Sequence, residues 1–140
     1  MIEKAKKILN DENATLVLVK GEEAFIDKRK GIVPVLDLVD KGTYEGYYAC
    51  DLIVGKAAAL LYVLLKVSAV HAVVITNTAK TILENAGIIV TYDTLTDRII
   101  NRDKTDICPM EKAVETTNDA VEAYHLIKEK LNQLKQKGTN

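Results

Sequence analysis

Lys56 is the first residue whose position suggests chemistry, because it lies inside the most apolar stretch of the chain, residues 52–67. This stretch predicts a buried helix with Asp51 as its N-cap and Lys56 one turn further along. A charged side chain in such surroundings is costly unless it is paired or lies beside a cleft. Lys56 is therefore a candidate for catalysis or for binding an anionic ligand. The structural alternative is a salt bridge to Asp51 or Asp103.

Cys108 is the second candidate, because the proline that follows it predicts the start of a helix. A cysteine at a helix N-terminus gains thiolate stability from the helix amides, and Arg102 or Lys104 nearby would add to it. Cys108 could then act as a nucleophile, with Glu111 three residues further along. The alternative, which is the commoner role of a free cysteine, is a small buried side chain.

The other metal-ligating side chains lack the spacing of a metal site. His71 lies in an apolar segment, where a histidine of the core or of the sheet edge is the usual interpretation, and His125 lies in the C-terminal segment. Together with Cys50 and Cys108 they form no CxxC or HxxxH pattern. The chain also has no phosphate-binding glycine motif. We therefore predict no metal and no cofactor.

The composition is that of an ordinary globular protein: 48% of the 140 residues are hydrophobic, and 19 lysines and arginines balance 20 aspartates and glutamates. This balance gives no electrostatic signal for nucleic-acid binding. Lys56 and Lys66 interrupt the longest apolar run, so we expect no membrane span. The charged N-terminus is unlike a signal peptide. Because the two cysteines form no disulfide framework, we expect a cytoplasmic protein.

The first half of the chain predicts a helix, a hairpin and two further helices. The segments are a helix over residues 2–9, strands over 14–19 and 24–26, and helices that begin at residues 34 and 52. Gly21 marks the turn of the hairpin. Pro34 suits the first turn of the second helix, and Gly42 ends that helix.

The second half alternates strands with helices. The segments are a strand over residues 70–75, a helix capped by Asn77 or Thr78, a strand over 88–92, a short helix after Pro109, and a last helix over 119–136 with Val121, Tyr124, Leu131 and Leu134 on its apolar side. Such alternation predicts an α/β fold. We expect a single domain over residues 1–140, built as a three-layer α/β/α sandwich with a mixed sheet of about four to five strands.

The order helix, strand, strand, helix, strand, helix, strand resembles that of the cytidine deaminases. In that family the central helix opens with His or Cys, Ala and Glu, and the next helix opens with Pro-Cys-x-x-Cys. The corresponding segments here are Val54-Gly55-Lys56-Ala57-Ala58-Ala59-Leu60 and Ile75-Thr76-Asn77-Thr78-Ala79-Lys80-Thr81. By this resemblance Val54 replaces a zinc ligand and Lys56 replaces the catalytic glutamate. Thr78 and Thr81 replace the two cysteine ligands.

The resemblance therefore implies the fold without the zinc chemistry. Catalytic zinc needs protein ligands, and deamination needs a glutamate that moves protons to and from the metal-bound water. The chain is similar to a small uncharacterised family of metal-free, deaminase-like proteins, through the blocks at residues 51–59, 101–103 and 108–112. A fold alone does not define an activity.

These features combine in one predicted site. Ligands of open α/β sheets bind beyond the carboxyl ends of the strands, where helix N-termini also point. The catalytic candidates are Cys108 and Lys56, and the ligand-binding candidates are Asp51, Thr76, Asn77, Asn101, Arg102, Asp103 and Glu111. We predict a small anionic or nucleotide-like ligand and no nucleic-acid or membrane partner. The alternative is a non-enzymatic scaffold that acts as a homo-oligomer through its apolar helices.

Overall fold

The computed structural model describes residues 1–99 and 108–138, with side chains up to position 136. Its helices are α1 (Ile2–Asp11), α2 (Val33–Lys41), α3 (Lys56–Leu65), α4 (Asn77–Asn85), α5 (Pro109–Ala113) and α6 (Ala120–Gly138). Its strands are β1 (Leu16–Lys20), β2 (Glu23–Asp27), β3 (Tyr48–Val54), β4 (Ala69–Thr76) and β5 (Ile89–Thr96). None of these helices is both long and apolar enough to cross a membrane.

The five strands form one mixed sheet in the order β2-β1-β3-β4-β5. β1 is antiparallel to β2 and to β3, whereas β3, β4 and β5 run parallel. Lys20 and Glu23 close the hairpin of β1 and β2 around Gly21, whose φ of 59° is the left-handed conformation that glycine adopts readily. The prediction of an α/β protein with a mixed sheet of four to five strands is confirmed.

Helices pack on both faces of the sheet. α1 contacts β1, β3 and β4, and its Leu9 packs in a cluster with Val17. The other face carries α2 to α6 and a larger apolar cluster that includes Leu61 and Ile127. Successive residues of a strand point to opposite faces, so Val17 of β1 joins the α1 cluster and Leu18 joins the larger one.

The prediction of one helix over residues 52–67 is wrong, because the chain forms β3 up to Val54 and begins α3 only at Lys56. β3 lies in the middle of the sheet, between β1 and β4. A continuous apolar run has no periodicity that separates a buried strand from a buried helix. Gly55 divides the run and is the N-cap residue of α3, so Asp51 is a strand residue and not a helix cap.

Two further boundaries differ from the prediction. Thr76, rather than Asn77 or Thr78, caps α4, because its Oγ1 accepts a hydrogen bond from the Ala79 amide at 3.1 Å. β5 also continues past the predicted end of the strand, as far as Thr96. The predicted hairpin, the helices that begin near residues 2, 34 and 109, and the strand over residues 70–75 are confirmed.

The buried side of α6 is also narrower than helical spacing suggests. Tyr124 and Leu131 pack against the large cluster, as predicted, and Ile127 between them is fully buried. Val121 is 56% exposed and Leu134 is 37% exposed, so the prediction for these two residues is wrong. α6 is covered along the side that meets α3 and α5, and its Tyr124 and Lys128 bond to Asp40 of α2, an arrangement that the spacing of apolar residues does not reveal.

Candidate functional site

A cleft of about 200 Å³ lies beyond the carboxyl ends of β4 and β5, beside the N-termini of α3, α4 and α5. Its lining contains three cations, Lys56, Arg98 and Lys112, three carboxylates, Asp97, Glu111 and Glu115, and three uncharged residues, Thr76, Thr78 and Ile99. The carboxyl ends of parallel strands share one edge of the sheet, which is why these elements converge there. The cleft thus unites the predicted site residues Lys56, Thr76 and Glu111.

Glu111 closes the N-terminus of α3. Its Oε1 and Oε2 accept hydrogen bonds from the amides of Lys56 and Ala57, each at 2.8 Å. First-turn amides have no partner within their own helix and form its positive end, so a carboxylate stabilises them. A Cβ atom on Gly55 would lie 2.2 Å from Glu111 Oε1, so this approach needs glycine. The amides of α3 therefore bind a carboxylate of the chain itself.

Lys56 leaves the same turn with its ammonium group directed along the cleft. Its Nζ donates to the Glu115 carbonyl oxygen at 3.2 Å. The structural salt bridge to Asp51 is not formed, because Asp51 lies on β3 and accepts a hydrogen bond from Tyr62 Oη at 2.6 Å. Among the described residues, no carboxylate lies within ion-pair distance of Lys56. Lys56 thus brings positive charge to the cleft.

Asp51 lies beneath α3 and does not line the cleft. Burial raises the pKa of its carboxyl to about 7, although the hydrogen bond from Tyr62 acts in the opposite direction. Tyr62 is fully buried, and desolvation likewise raises its pKa. The pair belongs to the contact between β3 and α3, so the structure separates Asp51 from Thr76 and Glu111, which line the cleft.

The N-terminus of α4 forms another wall of the cleft. Thr76 is 2% exposed, and its hydroxyl caps the Ala79 amide. Asn77 Nδ2 donates to Asp97 Oδ1 at 2.9 Å, which holds the segment after β5 against the helix. The other first-turn amides of α4 have no partner within the helix. This end of α4, with Lys56 beside it, is the part of the cleft best suited to an anion.

Cys108 is the N-cap residue of α5 and is partly exposed. Its amide donates to the Ile99 carbonyl oxygen at 3.0 Å, which joins α5 to the segment after β5. Cys108 does not line the cleft, whereas Glu111 on the next turn does. Asn101, Arg102 and Asp103 lie outside the described residues, so the ligand-binding role expected of them stays a prediction.

Sequence reasoning missed two of the cations, Arg98 and Lys112. Arg98 comes two residues after the end of β5 at Thr96, where side chains of a parallel sheet reach ligands. The predicted strand ends at Tyr92, and so Arg98 is not expected at the edge of the sheet. Lys112 follows Glu111 directly, so a positive charge beside a predicted site residue is the feature of the sequence that could have identified it.

A larger groove of about 640 Å³ adjoins the cleft and shares Thr78 with it. Leu60, Val63 and Ile82 give it an apolar floor between α3 and α4. Its polar lining is uncharged and consists of Asn77, Thr78, Thr81, Asn85 and Asn118. Apolar surface with a few neutral polar groups is typical of sites for small organic molecules.

A second group of polar side chains is buried on the α1 face of the sheet. His71 is 3% exposed, with Nδ1 2.7 Å from Thr91 Oγ1 and Nε2 3.3 Å from Asp93 Oδ1. Cys50 pairs with His71 on the next strand, and burial raises the pKa of its thiol to about 12. The prediction of a buried histidine is confirmed, but only Nδ1 has a hydrogen-bond partner among the described residues, so the ring is not fully satisfied. Within the described parts of the chain, no three His, Cys, Asp or Glu side chains group as metal ligands.

The fold and the cleft define an α/β protein with a five-stranded mixed sheet and charged groups at the carboxyl ends of its parallel strands. The protein-family model TM1506, which describes a domain of unknown function (DUF1893), matches residues 4–131 of this chain. The chain therefore belongs to this family. The expectation of an uncharacterised family is confirmed.

A solved structure supports the same assignment. The crystal structure of a DUF1893 family protein (TM1506) from Thermotoga maritima is similar to this chain, with a TM-score of 0.86 and 29% sequence identity. The similarity covers 91% of this chain and 88% of that chain. No curated protein matches the sequence.

Proposed function

We propose that the cleft binds a small anionic or nucleotide-like molecule and that the protein has no zinc-dependent deaminase activity. The observation that carries the first part is that Lys56 lines the cleft together with Thr76 and Thr78 of the α4 N-terminus and has no carboxylate partner among the described residues. Arg98 lines the same cleft. An ammonium group, a guanidinium group and helix amides together favour a phosphate or a carboxylate.

The carboxylates of the cleft repel a bound anion to different extents. Glu111 is held by two amides of α3, so the positive end of that helix offsets its charge. Asp97 is held at the start of α4 by Asn77, so its negative charge lies at the end of the helix where the anion would bind. We therefore expect modest affinity that falls as the salt concentration rises.

The adjoining groove is the reason for extending the proposal to a nucleotide-like molecule. Thr78 lines both spaces, so one ligand can occupy them together. The charged end would lie near Lys56, and a neutral ring would lie on Leu60 and Ile82. Uncharged asparagine side chains around this floor suit the hydrogen-bonding groups of such a ring.

We also propose the deaminase-like fold, with a change in where its motifs fall. Because β3 precedes α3, the helix after the hairpin is α2 and the helix after the next strand is α3. The segment that corresponds to the motif of His or Cys, Ala and Glu would then lie at the start of α2, at Val33 and Pro34. The segment that corresponds to Pro-Cys-x-x-Cys would lie at the start of α3, at Lys56 and Ala57. Neither this placement nor the one that begins at Val54 supplies the ligands that zinc needs. Elemental analysis that finds stoichiometric zinc would contradict this part.

Titration with inorganic phosphate and with adenosine monophosphate, followed by NMR of the backbone amides, tests the anion site. We expect shifts in residues 76–79, and Lys56→Gln should weaken binding about tenfold, the scale of one charged hydrogen bond. Lys80→Gln is the matched control, because Lys80 lies on α4, whose N-terminus forms the proposed site, but pairs with Glu84. Equal weakening in both variants, or no binding of either probe by the wild type, would contradict the site.

The alternative function, a homo-oligomeric scaffold without a ligand, has one observation in its favour, the exposed edge strand β5. A scaffold of this kind would bind neither phosphate nor adenosine monophosphate, but its copies would still form an oligomer. Binding and association are measured independently, so each proposal can fail without the other.

A further inference from the structure

β5 forms one edge of the sheet in the described part of the chain, and Asp93 is its one charged residue. It has eight residues, Ile89–Thr96, and contains no lysine, arginine or proline. Ile89 is 63% exposed, Leu95 is 40% exposed and Tyr92 is 38% exposed. A long edge strand with exposed apolar side chains is a template for pairing with another strand.

The backbone of β5 decides which of its residues can pair outward. The Ile89 amide donates to the Ser68 carbonyl oxygen, on the side of β4, at 3.1 Å. Alternate residues of a strand direct their N–H and C=O groups to opposite neighbours. The even-numbered residues of 90–96 therefore direct theirs away from the sheet. An antiparallel partner must place its own outward residues opposite these.

The residue pattern of β5 is symmetric about Tyr92. The pairs at equal distances from it are polar, β-branched and apolar in turn: Thr91 and Asp93, Val90 and Thr94, Ile89 and Leu95. We propose that β5 pairs antiparallel with β5 of a second copy of the chain, with Tyr92 opposite Tyr92. Ile89 then meets Leu95 of the second copy, and the outward backbone groups of the two strands exchange hydrogen bonds.

Charge selects this register over its neighbours. Centred on Tyr92, the pairing sets Asp93 opposite the hydroxyl of Thr91 of the second copy. Centred on Asp93, it would set two carboxylates directly opposite each other, which is destabilising. Centred on Thr91, it would set the carboxylate of Asp93 opposite the apolar Ile89. In a register shifted by one residue from any of these, the outward backbone groups of one strand would face residues of the other strand whose N–H and C=O groups point inward. The hydrogen bonds between the two strands would then be lost.

The same pairing covers sheet surface that α1 leaves open. Thr91 and Asp93 contact His71, so this face of β5 continues the face on which α1 packs. α1 itself contacts β1, β3 and β4. By alternation Ile89 and Leu95 lie on the same face of β5. In the dimer these apolar side chains of both copies would meet beside the two-fold axis.

The opposite edge of the sheet favours closure at two copies. β2 begins at Glu23 and ends at Asp27, so a β2 strand paired with its own copy about Phe25 would oppose these carboxylates. Pairing of β5 with β2 of another copy would be head-to-tail, which gives a ring of several copies or an open filament rather than a dimer with one shared interface. Pairing of β5 with β5 uses the same surface on both copies and therefore closes as a dimer.

Sedimentation velocity of the full chain tests the dimer. We expect the wild type to be dimeric and Tyr92→Lys to be monomeric, because two ammonium groups would meet at the centre of the interface. Ile26→Lys on β2 is the matched control, since Ile26 is 40% exposed and Tyr92 38% exposed, and it should stay dimeric. A monomeric wild type throughout its soluble range, or equal loss of the dimer in both variants, would overturn the proposal.

Disulfide trapping tests the register, and it does so even if Tyr92→Lys fails to fold. In a hydrogen-bonded antiparallel pair the Cα atoms lie about 5.5 Å apart, within disulfide reach. In a Cys108→Ser background, Tyr92→Cys should therefore cross-link two copies on mild oxidation, while Cys50 stays buried. Thr94→Cys should not, because Thr94 faces Val90 of the second copy. Cross-linking by Thr94→Cys that equals that by Tyr92→Cys would overturn the register.

Discussion

Asp51 and Tyr62 illustrate at the residue scale how position changes chemistry. An aspartate before an apolar run is a common helix cap, but here Asp51 is part of the central strand and lies beneath α3. Desolvation favours the neutral form of a carboxyl group, and the hydrogen bond from Tyr62 only partly opposes this effect. The residue therefore acts on the stability of the fold rather than on a ligand.

Asp51→Asn should remove a dependence of stability on pH. Because the folded protein holds this proton more tightly than the unfolded chain, its free energy of unfolding falls as the pH rises from about 4 to about 7. One proton limits this slope to about 1.4 kcal/mol per pH unit. The variant should lack the slope and be more stable than the wild type at pH 8.

Urea unfolding at pH 5 and pH 8 measures this effect. Asp11→Asn is the control, because Asp11 lies at the exposed end of α1 and pairs only with Lys7 among the described residues. The same pH dependence in the wild type and in Asp51→Asn would contradict a buried, proton-binding Asp51.

The two cysteines should differ sharply in reactivity. Cys50 is 1% exposed, and burial raises the pKa of its thiol to about 12. Cys108 is partly exposed at the start of α5. Only thiolates react readily with iodoacetamide, so mass spectrometry of the alkylated native protein should find label on Cys108 and none on Cys50. Labelling of Cys50 at a similar rate without denaturant would contradict its burial.

At the scale of elements, Gly55 and Glu111 join α3 to α5 across more than fifty residues of sequence. Gly55→Ala should push the Glu111 carboxylate off the α3 amides, because the new Cβ would lie 2.2 Å from its Oε1. We expect a loss of about 1–3 kcal/mol in the free energy of unfolding, the usual range for a steric clash or for a buried group left without its hydrogen bond. Chemical denaturation measures this loss.

A double-mutant cycle separates the cap from other effects of the added methyl group. Glu111→Ala alone should cost about 1 kcal/mol, as the loss of a cap does. Gly55→Ala should then cost less in the Glu111→Ala background than in the wild type, because the clash with Glu111 is gone and only the one with Ile99 Cδ1, at 2.6 Å, remains. Strictly additive costs would show that the two residues do not interact.

At the scale of the whole molecule, the parallel strands explain how distant residues form one cleft. Lys56, Thr76 and Arg98 each lie at or just beyond the carboxyl end of a strand, on β3, β4 and β5 in turn. Each intervening helix carries the chain back to the end where the strands begin, so the next parallel strand again ends at the same edge, and segments far apart in sequence converge there. The hairpin of β1 and β2 extends the sheet without lining the cleft.

The sequence by itself determined most of the elements, because their signals are local. Gly21, Pro34 and Pro109 mark a turn and two helix starts, and apolar spacing indicates α1 and the hairpin. The α/β class follows from the order of these elements. Lys56 could be singled out for the same reason, since a single charge within an apolar run is visible in the sequence itself.

Only the tertiary structure decided which apolar run becomes β3, which groups meet Lys56 and what holds the α3 amides. A buried strand and a buried helix bury the same side chains, so pairing with β1 and β4 makes the difference at residues 48–54. Glu111 reaches α3 because α5 packs there, and Arg98 enters the cleft because β5 extends to Thr96. These are contacts between residues distant in sequence, and their energies depend on packing that no local pattern encodes.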